Sequence, residues 1–420
     1  MRIVLATFGS LGDLHPYIAI GRELKRRGHQ PVIATFDGYR EVVEAGGAEF
    51  AAMRPSMERL GDHSAVMERL VDPRRGPEYL VRDMFMSHLS ESYEDLAQTV
   101  SGADLLVTHP LAFAGPLLAE KQGLPWASTV LAPLSLFSAL DPPFFPAAPW
   151  LTQVRKLGAA PYRLVFRIPR LMMRHWEQPL RALRAQLGLP DRGSVAQMEG
   201  QYSPALNLAL FSRTLAPPQP DWPRNTLVCG FPRYDGTQPD AATQARLDDF
   251  LAQGDAPIVF ALGSSAVMVA GDFWRNAIEA VRRLHRRAIL LTGKPADELG
   301  DQPPAIAVFS YLPYSVVFPR AAAIVHSSGI GTLAQALAAG RPQLIVPVAF
   351  DQPDNARRTV ALGVARSIPF REASAAAMTR ELALLLDSAD YAGRADAIAR
   401  AVRSEDAVGT ACDTLVTVRA

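Results

Sequence analysis

The sequence predicts an α/β protein made of two doubly wound, Rossmann-like domains. Two observations carry this prediction: short apolar runs alternate with helical patterns, and the alternation restarts after a proline-rich stretch at residues 216–223. Strands that alternate with helices form parallel sheets with right-handed crossovers. A chain of 420 residues that is 49% hydrophobic is long enough to bury two separate cores.

The first series of elements opens with a strand from Arg2 to Phe8, a glycine-containing loop and a helix from Leu14 to Arg27. The same alternation continues after this unit. Its further elements are strands at 31–36, 104–108 and 125–131 and a helix at 113–122. Their order predicts the first parallel sheet.

The second series repeats this architecture after turn-rich material at 230–239. Its elements are strands at 258–262, 288–292, 322–325 and 343–347 and helices at 273–284 and 332–339. The segment from Tyr391 to Thr417 reads as helix. We therefore expect a first domain at 1–215, a linker at 216–238, a second domain at 239–390, and a helical segment at 391–420 that packs back on the first domain.

Composition and charge exclude several classes of protein. The 43 basic and 42 acidic residues give a net charge of +1, which is not the cationic excess of a nucleic-acid binder. Cys229 and Cys412 have no CxxC companion, so neither a disulfide framework nor a thiolate metal site is predicted and a cytoplasmic location is expected. The apolar stretch at 131–150 contains Asp141 and a cluster of prolines, which argue against a membrane span.

The strongest local signal is the segment HSSGIGT, in which His326 ends an apolar strand and Gly329 and Gly331 begin a helix. Free N–H groups at a helix start bind anions, and glycines let a diphosphate approach closely. His326 and Thr332 would add side-chain donors. The alternative is that the glycines only relieve a tight turn between strand and helix.

Polar residues follow other strands of the second series. Asp351 and Gln352 come after the strand that ends at Pro347, where a carboxylate and an amide suit sugar hydroxyls, although Asp351 is also a natural helix cap. Ser264 and Ser265 offer hydroxyls to a phosphate after the first strand of the series. Tyr311 offers an aromatic face to a base.

These motifs together resemble the nucleotide-sugar-dependent glycosyltransferases of family one. The segments are HSSGIGT, the DQ pair, YLPY and the opening GSLGD, and the match spans most of the chain. It is closest to the bacterial branch that contains rhamnolipid rhamnosyltransferases and sterol glucosyltransferases, which share GSxGDxxPxxAL and HHGGxGT. The resemblance implies the GT-B fold, in which two Rossmann-like domains face a central cleft.

The resemblance also implies roles for residues at matching positions. His326 falls on the diphosphate-contacting histidine, Asp351 and Gln352 on the sugar-reading pair, Tyr311 on a base-stacking Trp and Gln335 on a ribose-binding Glu. Two departures stand out, since Ser328 replaces a glycine and Gln335 carries no charge. The predicted donor site comprises Gly12, Ser264, Ser265, Tyr311, His326, Ser328, Gly329, Gly331, Thr332, Gln335, Asp351 and Gln352.

Asp13 lies at the position of the family's catalytic base in the first domain. A carboxylate there would accept the proton of the attacking hydroxyl, whereas the alternative is that Asp13 only caps the helix that starts at Leu14. His109, which closes the strand LLVTHP, is the second catalytic candidate. The predicted acceptor-binding residues are His15, Phe144 and Phe145.

The sequence thus predicts an inverting O-glycosyltransferase that moves a hexose from a UDP- or dTDP-sugar to an apolar or lipid-like hydroxyl, without cofactor or metal. One rival is a nucleotide-sugar epimerase or hydrolase, which needs no acceptor. The other is a nicotinamide-dependent oxidoreductase. Asp37, which follows the second strand, stands where a dinucleotide-binding fold has its ribose-binding acid, but the GxGxxG motif of that fold is absent. A binding module without catalysis is a further alternative.

The segment from Pro161 to Trp176 predicts a peripheral membrane contact. At roughly 100° per residue, its four arginines fall within about 60° of one another on an otherwise apolar helix. Such a helix lies in an anionic lipid interface, and the alternative is a core helix whose arginines form its solvated face. The four residues are Arg163, Arg167, Arg170 and Arg174.

Overall fold

The computed structural model describes residues 1–293 and 299–419, and the chain divides into two compact units. Unit 1 comprises Met1–Tyr234 together with Glu405–Ala420, and unit 2 comprises Asp235–Ser404. Each unit is built on one parallel sheet, which confirms the predicted fold class. The segment that the sequence presents as a linker, 216–238, is divided between the two units after Tyr234.

The sheet of unit 1 has seven parallel strands in the order β3-β2-β1-β4-β5-β6-β7. The central strand β1 is a continuous apolar run because both of its faces are covered, with Ile3, Val4, Leu5 and Ala6 all fully buried. The strands are β1 (Arg2–Ala6), β2 (Gln30–Thr35), β3 (Glu49–Ala52), β4 (Leu105–Thr108), β5 (Trp126–Val130), β6 (Asn207–Ala209) and β7 (Thr226–Val228).

The first helix of unit 1 begins earlier than the apolar pattern predicts, at Leu11 instead of Leu14. The cause is a capping box in which Ser10 and Asp13 satisfy each other's backbone groups. The helices of this part are α1 (Leu11–Arg26), α2 (Arg40–Ala45), α3 (Met57–Leu60), α4 (His63–Leu70), α5 (Gly76–Glu78), α6 (Leu89–Thr99), α7 (Ala114–Gln122), α8 (Leu151–Lys156), α9 (Ala159–Val165), α10 (Arg167–Trp176) and α11 (Gln178–Gln186).

The sheet of unit 2 has six parallel strands in the order β10-β9-β8-β11-β12-β13. Its strands are β8 (Ile258–Ala261), β9 (Ala288–Leu291), β10 (Ile306–Phe309), β11 (Ala323–His326), β12 (Gln343–Ile345) and β13 (Ala365–Ser367). Its helices are α12 (Ala241–Ala252), α13 (Phe273–Arg283), α14 (Tyr314–Val317), α15 (Ile330–Ala339), α16 (Gln352–Ala361), α17 (Ala375–Asp387) and α18 (Ala389–Ser404).

The last helix, α19 (Ala407–Leu415), belongs to unit 1 and contacts α1. The Sγ atom of Cys412 lies 3.7 Å from the Ile20 carbonyl oxygen, and Ser212 Oγ donates to Glu405 Oε1 at 2.9 Å. The single helix predicted for 391–417 is therefore two helices. Only the second of them joins the core of unit 1.

Candidate donor and catalytic sites

Each sheet has a point where the strand order reverses, and ligands of open α/β sheets bind outside the carboxyl ends of the strands at such a point. In unit 1 it lies between β1 and β4, which are followed by residues 10–13 and by His109. In unit 2 it lies between β8 and β11, which are followed by residues 263–265 and 327–329. Several of the predicted site residues therefore follow the strands at these two switch points.

Asp13 occupies the third position of α1 and closes the capping box with Ser10. Its Oδ2 atom accepts hydrogen bonds from the Ser10 backbone N–H at 2.8 Å and from Ser10 Oγ at 3.1 Å. Ser10 Oγ in turn accepts from the Gly12 N–H at 3.2 Å, so Gly12 is part of this cap. The helix-cap role of Asp13 is thus present in the structure, and it occupies one of the two carboxylate oxygens.

The other oxygen of Asp13 faces His109. Asp13 Oδ1 lies 3.7 Å from His109 Nε2, and the side chains are 31% and 6% exposed, respectively. His109 Nδ1 accepts the backbone N–H of Leu111 at 3.2 Å, so the proton of the neutral imidazole resides on Nε2, next to the carboxylate. The two residues predicted to be catalytic are therefore neighbours, and Asp13 stays accessible to an acceptor hydroxyl.

The backbone and two phenols shape the surroundings of the Asp13 carboxylate. Gly9 has φ +127°, and a Cβ atom there would lie 2.3 Å from Asp13 Oδ2. Tyr39 Oη donates to the Gly9 carbonyl at 3.1 Å, and burial together with the charge of Asp13 raises the pKa of Tyr39 to about 12. Burial, assisted by the same charge, raises the pKa of Tyr17 well above its usual value. Only a glycine at position 9 leaves room for this carboxylate.

A pocket of unit 1 that opens to solvent has His109 in its wall and a cavity volume of about 40 Å³. Apolar side chains of α7 and α11, among them Leu117 and Leu180, line one part of it. Arg181 and Arg192 line another part. This volume is below that of a typical small-molecule site, so the pocket marks only a depression beside one member of the Asp13–His109 pair.

The residues predicted to bind the acceptor lie outside the lining of this cavity. The ring of His15 packs edge-on against Tyr234, with 5.1 Å between the ring centroids. Phe145 belongs to a small separate cluster and lies 6.1 Å from the ring of Phe166, and Phe144 is half-buried beside it. The structure therefore does not bring these three residues together in one pocket of unit 1.

His326 ends β11 and is fully buried. Its Nε2 lies 2.9 Å from Gln343 Oε1, and its Nδ1 accepts the Ser328 backbone N–H at 3.0 Å. Burial lowers the pKa of His326 to about 4, so the ring is neutral at neutral pH. A bond from this ring to a diphosphate would break one of the two internal bonds. The geometry therefore gives His326 the role of holding the turn that leads into α15.

The turn between β11 and α15 takes its left-handed residue from Ser328 and not from a glycine. Ser328 has φ +63°, and its Oγ donates to the Gln352 carbonyl at 2.7 Å. Gly329 has φ −55°, and a Cβ atom there would make only an ordinary contact, 3.9 Å from Gln352 Nε2. Relief of a tight turn therefore does not explain Gly329. Its missing side chain instead keeps open the space at the start of α15.

The start of α15 has no side-chain cap. The N–H groups of a first helical turn have no partner within the helix, and the positive end of the helix dipole adds to their attraction for anions. Gly329 and Gly331 are partly exposed here, whereas Thr332 is buried behind them. The exposed backbone at this point is a suitable site for a phosphate group.

Asp351 and Gln352 lie at the start of α16, which contacts the turn before α15 through the bond from Ser328 to the Gln352 carbonyl. Asp351 stands at the N-cap position, but its side chain does not cap the helix and instead accepts from Asn355 Nδ2 at 2.7 Å. Gln352 Oε1 accepts the Val348 N–H at 2.8 Å, which leaves its Nε2 as the donor near Gly329. The helix-cap interpretation of Asp351 is therefore wrong.

The loop after β8 approaches the start of α15. Gly263 has φ +83°, and a Cβ atom at this position would lie 3.1 Å from Thr332 Oγ1. Ser264 is exposed and Ser265 is half-buried on the same loop. The two serines predicted to bind the donor thus follow a glycine that lies close to the anion-binding end of the helix.

Tyr311 and Gln335 both hydrogen-bond to Asp235, a residue that the sequence pattern did not single out. Gln335 Nε2 donates to Asp235 Oδ1 at 2.7 Å, and Tyr311 Oη donates to the Asp235 carbonyl. Gln335 is buried, whereas Tyr311 is 48% exposed. Asp235 lies in turn material 100 residues before Gln335, so no local spacing rule connects them.

The segment 161–176 forms two helices, α9 and α10, which are separated at Phe166. The alternative of a core helix applies only to α9, where Tyr162 is fully buried, because α10 has no buried residue. The predicted membrane contact stays a prediction. Three of the four arginines of the predicted basic stripe lie beside carboxylates. The pairs are Arg163 with Asp221 at 3.8 Å, Arg174 with Asp191 at 3.8 Å, and Arg170 with Glu199.

Two other kinds of site find no support in the geometry. Asp37, which imitates the ribose-binding acid of a dinucleotide fold, accepts the N–H groups of Gly38 at 2.9 Å and Met57 at 3.0 Å and so serves a turn. In residues 1–293 and 299–419, no three His, Cys, Asp or Glu side chains are grouped to hold a metal ion.

Family models match two separate parts of the chain. Residues 3–134 match the glycosyltransferase family 28 N-terminal domain. Residues 276–415 match the C-terminal domain described as erythromycin biosynthesis protein CIII-like. The two matches contain the Asp13–His109 pair and the start of α15, respectively.

Whole-chain relatives agree with these models. The O-mycaminosyltylonolide 6-deoxyallosyltransferase of Streptomyces fradiae is 31% identical over 432 residues, 98% of this chain and 96% of the relative. A sterol 3-beta-glucosyltransferase of Yarrowia lipolytica is 27% identical over 97% of this chain, which spans only 28% of that longer protein.

A solved structure supports the fold over the whole length. The glycosyltransferase VinC, crystallised in complex with dTDP, matches with a TM-score of 0.69 at 20% identity, covering 99% of this chain and 98% of that one. Its fold and that of unit 1 and unit 2 are thus alike. With the relative from Streptomyces, these findings show that the chain has the GT-B fold and belongs to the family-one-like glycosyltransferases.

Proposed function

We propose that the chain is an inverting O-glycosyltransferase that moves a hexose of the glucose or rhamnose type from a UDP- or dTDP-sugar to a hydroxyl of an apolar or lipid-like acceptor. The observation that carries this proposal is the start of α15, which has no side-chain cap. A side chain at Gly329 would fit the turn itself, so its absence is explained by the space that a ligand needs. The names of the relatives support it, since one is a 6-deoxyallosyltransferase and another is a sterol glucosyltransferase.

In this proposal the diphosphate of the donor lies on the first turn of α15. The backbone N–H groups and the helix dipole offset its negative charge, so we propose that no metal or other cofactor is required. Gln352 Nε2 and the Asp351 carboxylate would meet the sugar hydroxyls as donor and acceptor. The solved complex of VinC with dTDP supports a nucleoside diphosphate as the ligand.

Asp13 would take the proton of the acceptor hydroxyl as that oxygen attacks the anomeric carbon and the diphosphate leaves. The Nε2–H group of His109 would hold Oδ1 and stabilise the charge of the carboxylate before the transfer. One displacement by the acceptor oxygen inverts the anomeric centre, whereas retention by two displacements needs an enzyme nucleophile as well.

The principal rival is an epimerase or hydrolase of the same donor, and product analysis separates the three. The protein is incubated with UDP-glucose or dTDP-rhamnose, with and without a sterol or a hydroxy-fatty acid, and the products are identified by mass spectrometry. We expect a glycoside with inverted anomeric configuration only when acceptor is present. An equal yield of free sugar or of an isomerised donor without acceptor would contradict the proposal.

We also propose that the enzyme is cytoplasmic and meets lipid-like acceptors at an anionic membrane surface, through an exposed apolar face on α9 and α10. Four side chains of this face follow one another at helical spacing and are each between 57% and 68% exposed. The apolar face consists of Leu164, Ile168, Leu171 and Met172. In the part of the chain that the structure describes, no helix is long and apolar enough to cross a bilayer.

Charge favours an anionic lipid surface as the occupant of the apolar face. Residues 142–176 contain no Asp or Glu. Lys156 and Arg167 lie in this stretch without an ion pair among the described residues, and Trp150 is 53% exposed at its start. Exposed Leu and Trp beside unpaired cations are the features of a helix that lies in a lipid interface.

Sedimentation with vesicles tests this contact. A triple variant in which Gln replaces Leu164, Ile168 and Leu171 should bind phosphatidylcholine vesicles that contain phosphatidylglycerol more than tenfold less tightly. Each aliphatic side chain that is buried in the lipid contributes about 1.5 to 3 kcal/mol to binding. The matched control is Leu384→Gln, which alters an exposed Leu of unit 2 and should leave vesicle binding unchanged. Sedimentation of the triple variant at the level of the unaltered protein would contradict the proposal.

A further inference from the structure

Asp235 connects three parts of unit 2, namely α15, α14 and the loop that precedes α14. Its Oδ1 atom accepts from Gln335 Nε2 at 2.7 Å and from the Ser315 N–H at 3.3 Å, and its carbonyl accepts from Tyr311 Oη. Gly236 has φ +68°, and a Cβ atom there would lie 3.2 Å from Tyr311 Oη. The segment that carries Asp235 is thus packed closely against Tyr311.

We propose that Asp235 supplies the carboxylate that accepts a ribose hydroxyl of the nucleotide donor, in place of the charge that Gln335 lacks. The proposal rests on the proposed function, because it assumes that a nucleoside diphosphate occupies unit 2. It adds a specificity-determining residue from outside every motif of the donor site. The carboxylate lies within hydrogen-bond distance of Gln335, the position at which the family resemblance implies a ribose-binding Glu.

Hydrogen-bond chemistry fixes how this pair of side chains is used. A carboxylate only accepts, so the Gln335 amide must turn its N–H group toward Asp235 and leave Oε1 as a second acceptor. Both bonds to the Asp235 carboxylate go to Oδ1. Within residues 235–293 and 299–404, neither Asp235 Oδ2 nor Gln335 Oε1 receives a hydrogen bond. Two acceptors on one partly exposed site suit the hydroxyl donors of a ribose.

Calorimetric titration of UDP, of dTDP and of inorganic pyrophosphate tests the proposal. Asp235→Asn keeps an acceptor for Gln335 but removes the charge, so we expect about tenfold weaker binding of the nucleoside diphosphate that the unaltered protein binds. Binding of pyrophosphate, which has no ribose, should stay the same. The double variant Asp235→Asn/Gln335→Glu moves the charge across the same hydrogen bond and should restore most of the nucleotide affinity.

A matched control separates the ribose contact from effects on folding. Asp240→Asn alters a neighbouring carboxylate that only caps α12, through the Thr243 N–H at 2.7 Å, and should change no affinity. Unchanged nucleotide affinity in Asp235→Asn, or an equal loss for nucleotide and pyrophosphate, would overturn the inference while leaving the proposed function intact. If the unaltered protein binds none of the three ligands, the proposed function itself fails.

Discussion

Asp13 serves both as a helix cap and as the proposed base, and the two roles can be separated by substitution. Asp13→Asn retains one oxygen for the Ser10 N–H and places an amide beside His109 Nε2, where two donors then meet. Ser10→Ala removes the hydroxyl partner of the cap and leaves the carboxylate in place. The two variants thus weaken the same capping box, but only the first removes the base.

The two roles predict losses of different kinds. A lost capping interaction costs about 1 kcal/mol of folding stability, so both variants should unfold at slightly lower denaturant concentration. Loss of a general base lowers turnover by roughly two to four orders of magnitude, which is about 2.7 to 5.5 kcal/mol of activation free energy. We therefore expect Asp13→Asn to lose at least 100-fold in turnover, and Ser10→Ala to lose only a few-fold.

The assay is initial-rate glycosylation of an alcohol acceptor, with donor affinity measured in parallel by calorimetry. Donor affinity should stay near that of the unaltered protein in both variants, because the proposed diphosphate site lies on α15. Equal turnover in the two variants would refute the assignment of Asp13 as base, since the cap would then account for the whole effect. A large loss of donor affinity in Asp13→Asn would refute the assignment of the base to unit 1 and of the diphosphate site to unit 2.

Two further predictions concern buried ionisable groups. His326→Asn keeps an acceptor for the Ser328 N–H, so calorimetry should show diphosphate binding near normal, whereas His326→Ala should weaken it; equal weakening would indicate direct contact with the phosphate. Burial raises the pKa of Glu177 to about 7, which means that the folded protein favours the protonated side chain. This preference stabilises the fold fully below pH 4.5, the ordinary pKa, and the stabilisation is lost as the pH rises from 4.5 toward 7. Denaturant unfolding should show Glu177→Gln gaining about 3 kcal/mol relative to the unaltered protein over this range. The same substitution at exposed Glu199 should show no such gain, and a pH-independent difference for Glu177→Gln would contradict the reasoning.

The central strands and the helices beside them were predictable because their patterns are local. β1, β4, β8 and β11 are continuous apolar runs, and a run of this kind indicates a strand with both faces covered. The strand β6 and the edge strand β7 were missed, since each has only three residues and β7 begins just after the proline-rich stretch. Such short strands depend on pairing with a neighbour that is distant in the chain.

The candidate site could be predicted for residues whose role follows from their own chemistry and their place in the sheet order. It was predicted less well for residues whose role depends on side chains that are distant in the sequence. The pairing of Asp13 with His109 follows from sheet order, because β1 and β4 are adjacent although nearly 100 residues lie between them. The burial of His326 was not foreseen, since its partner Gln343 lies on the next strand. Asp235 was missed for the same reason: its contacts are made only after α15 and the linker have come together.

Unit 1 takes its last helix from the far end of the chain, and this connectivity constrains how the protein is made. Unit 2 is one continuous stretch, Asp235–Ser404, and all of it has been synthesised before α19 emerges. Ile20 of α1 contacts Cys412 of α19 in the folded protein. During synthesis this face of α1 therefore stays uncovered until the whole of unit 2 has left the ribosome. Translation that stops after Ser404 would yield a complete second unit attached to a first unit with an exposed apolar strip, which is a natural signal for chaperones and proteases.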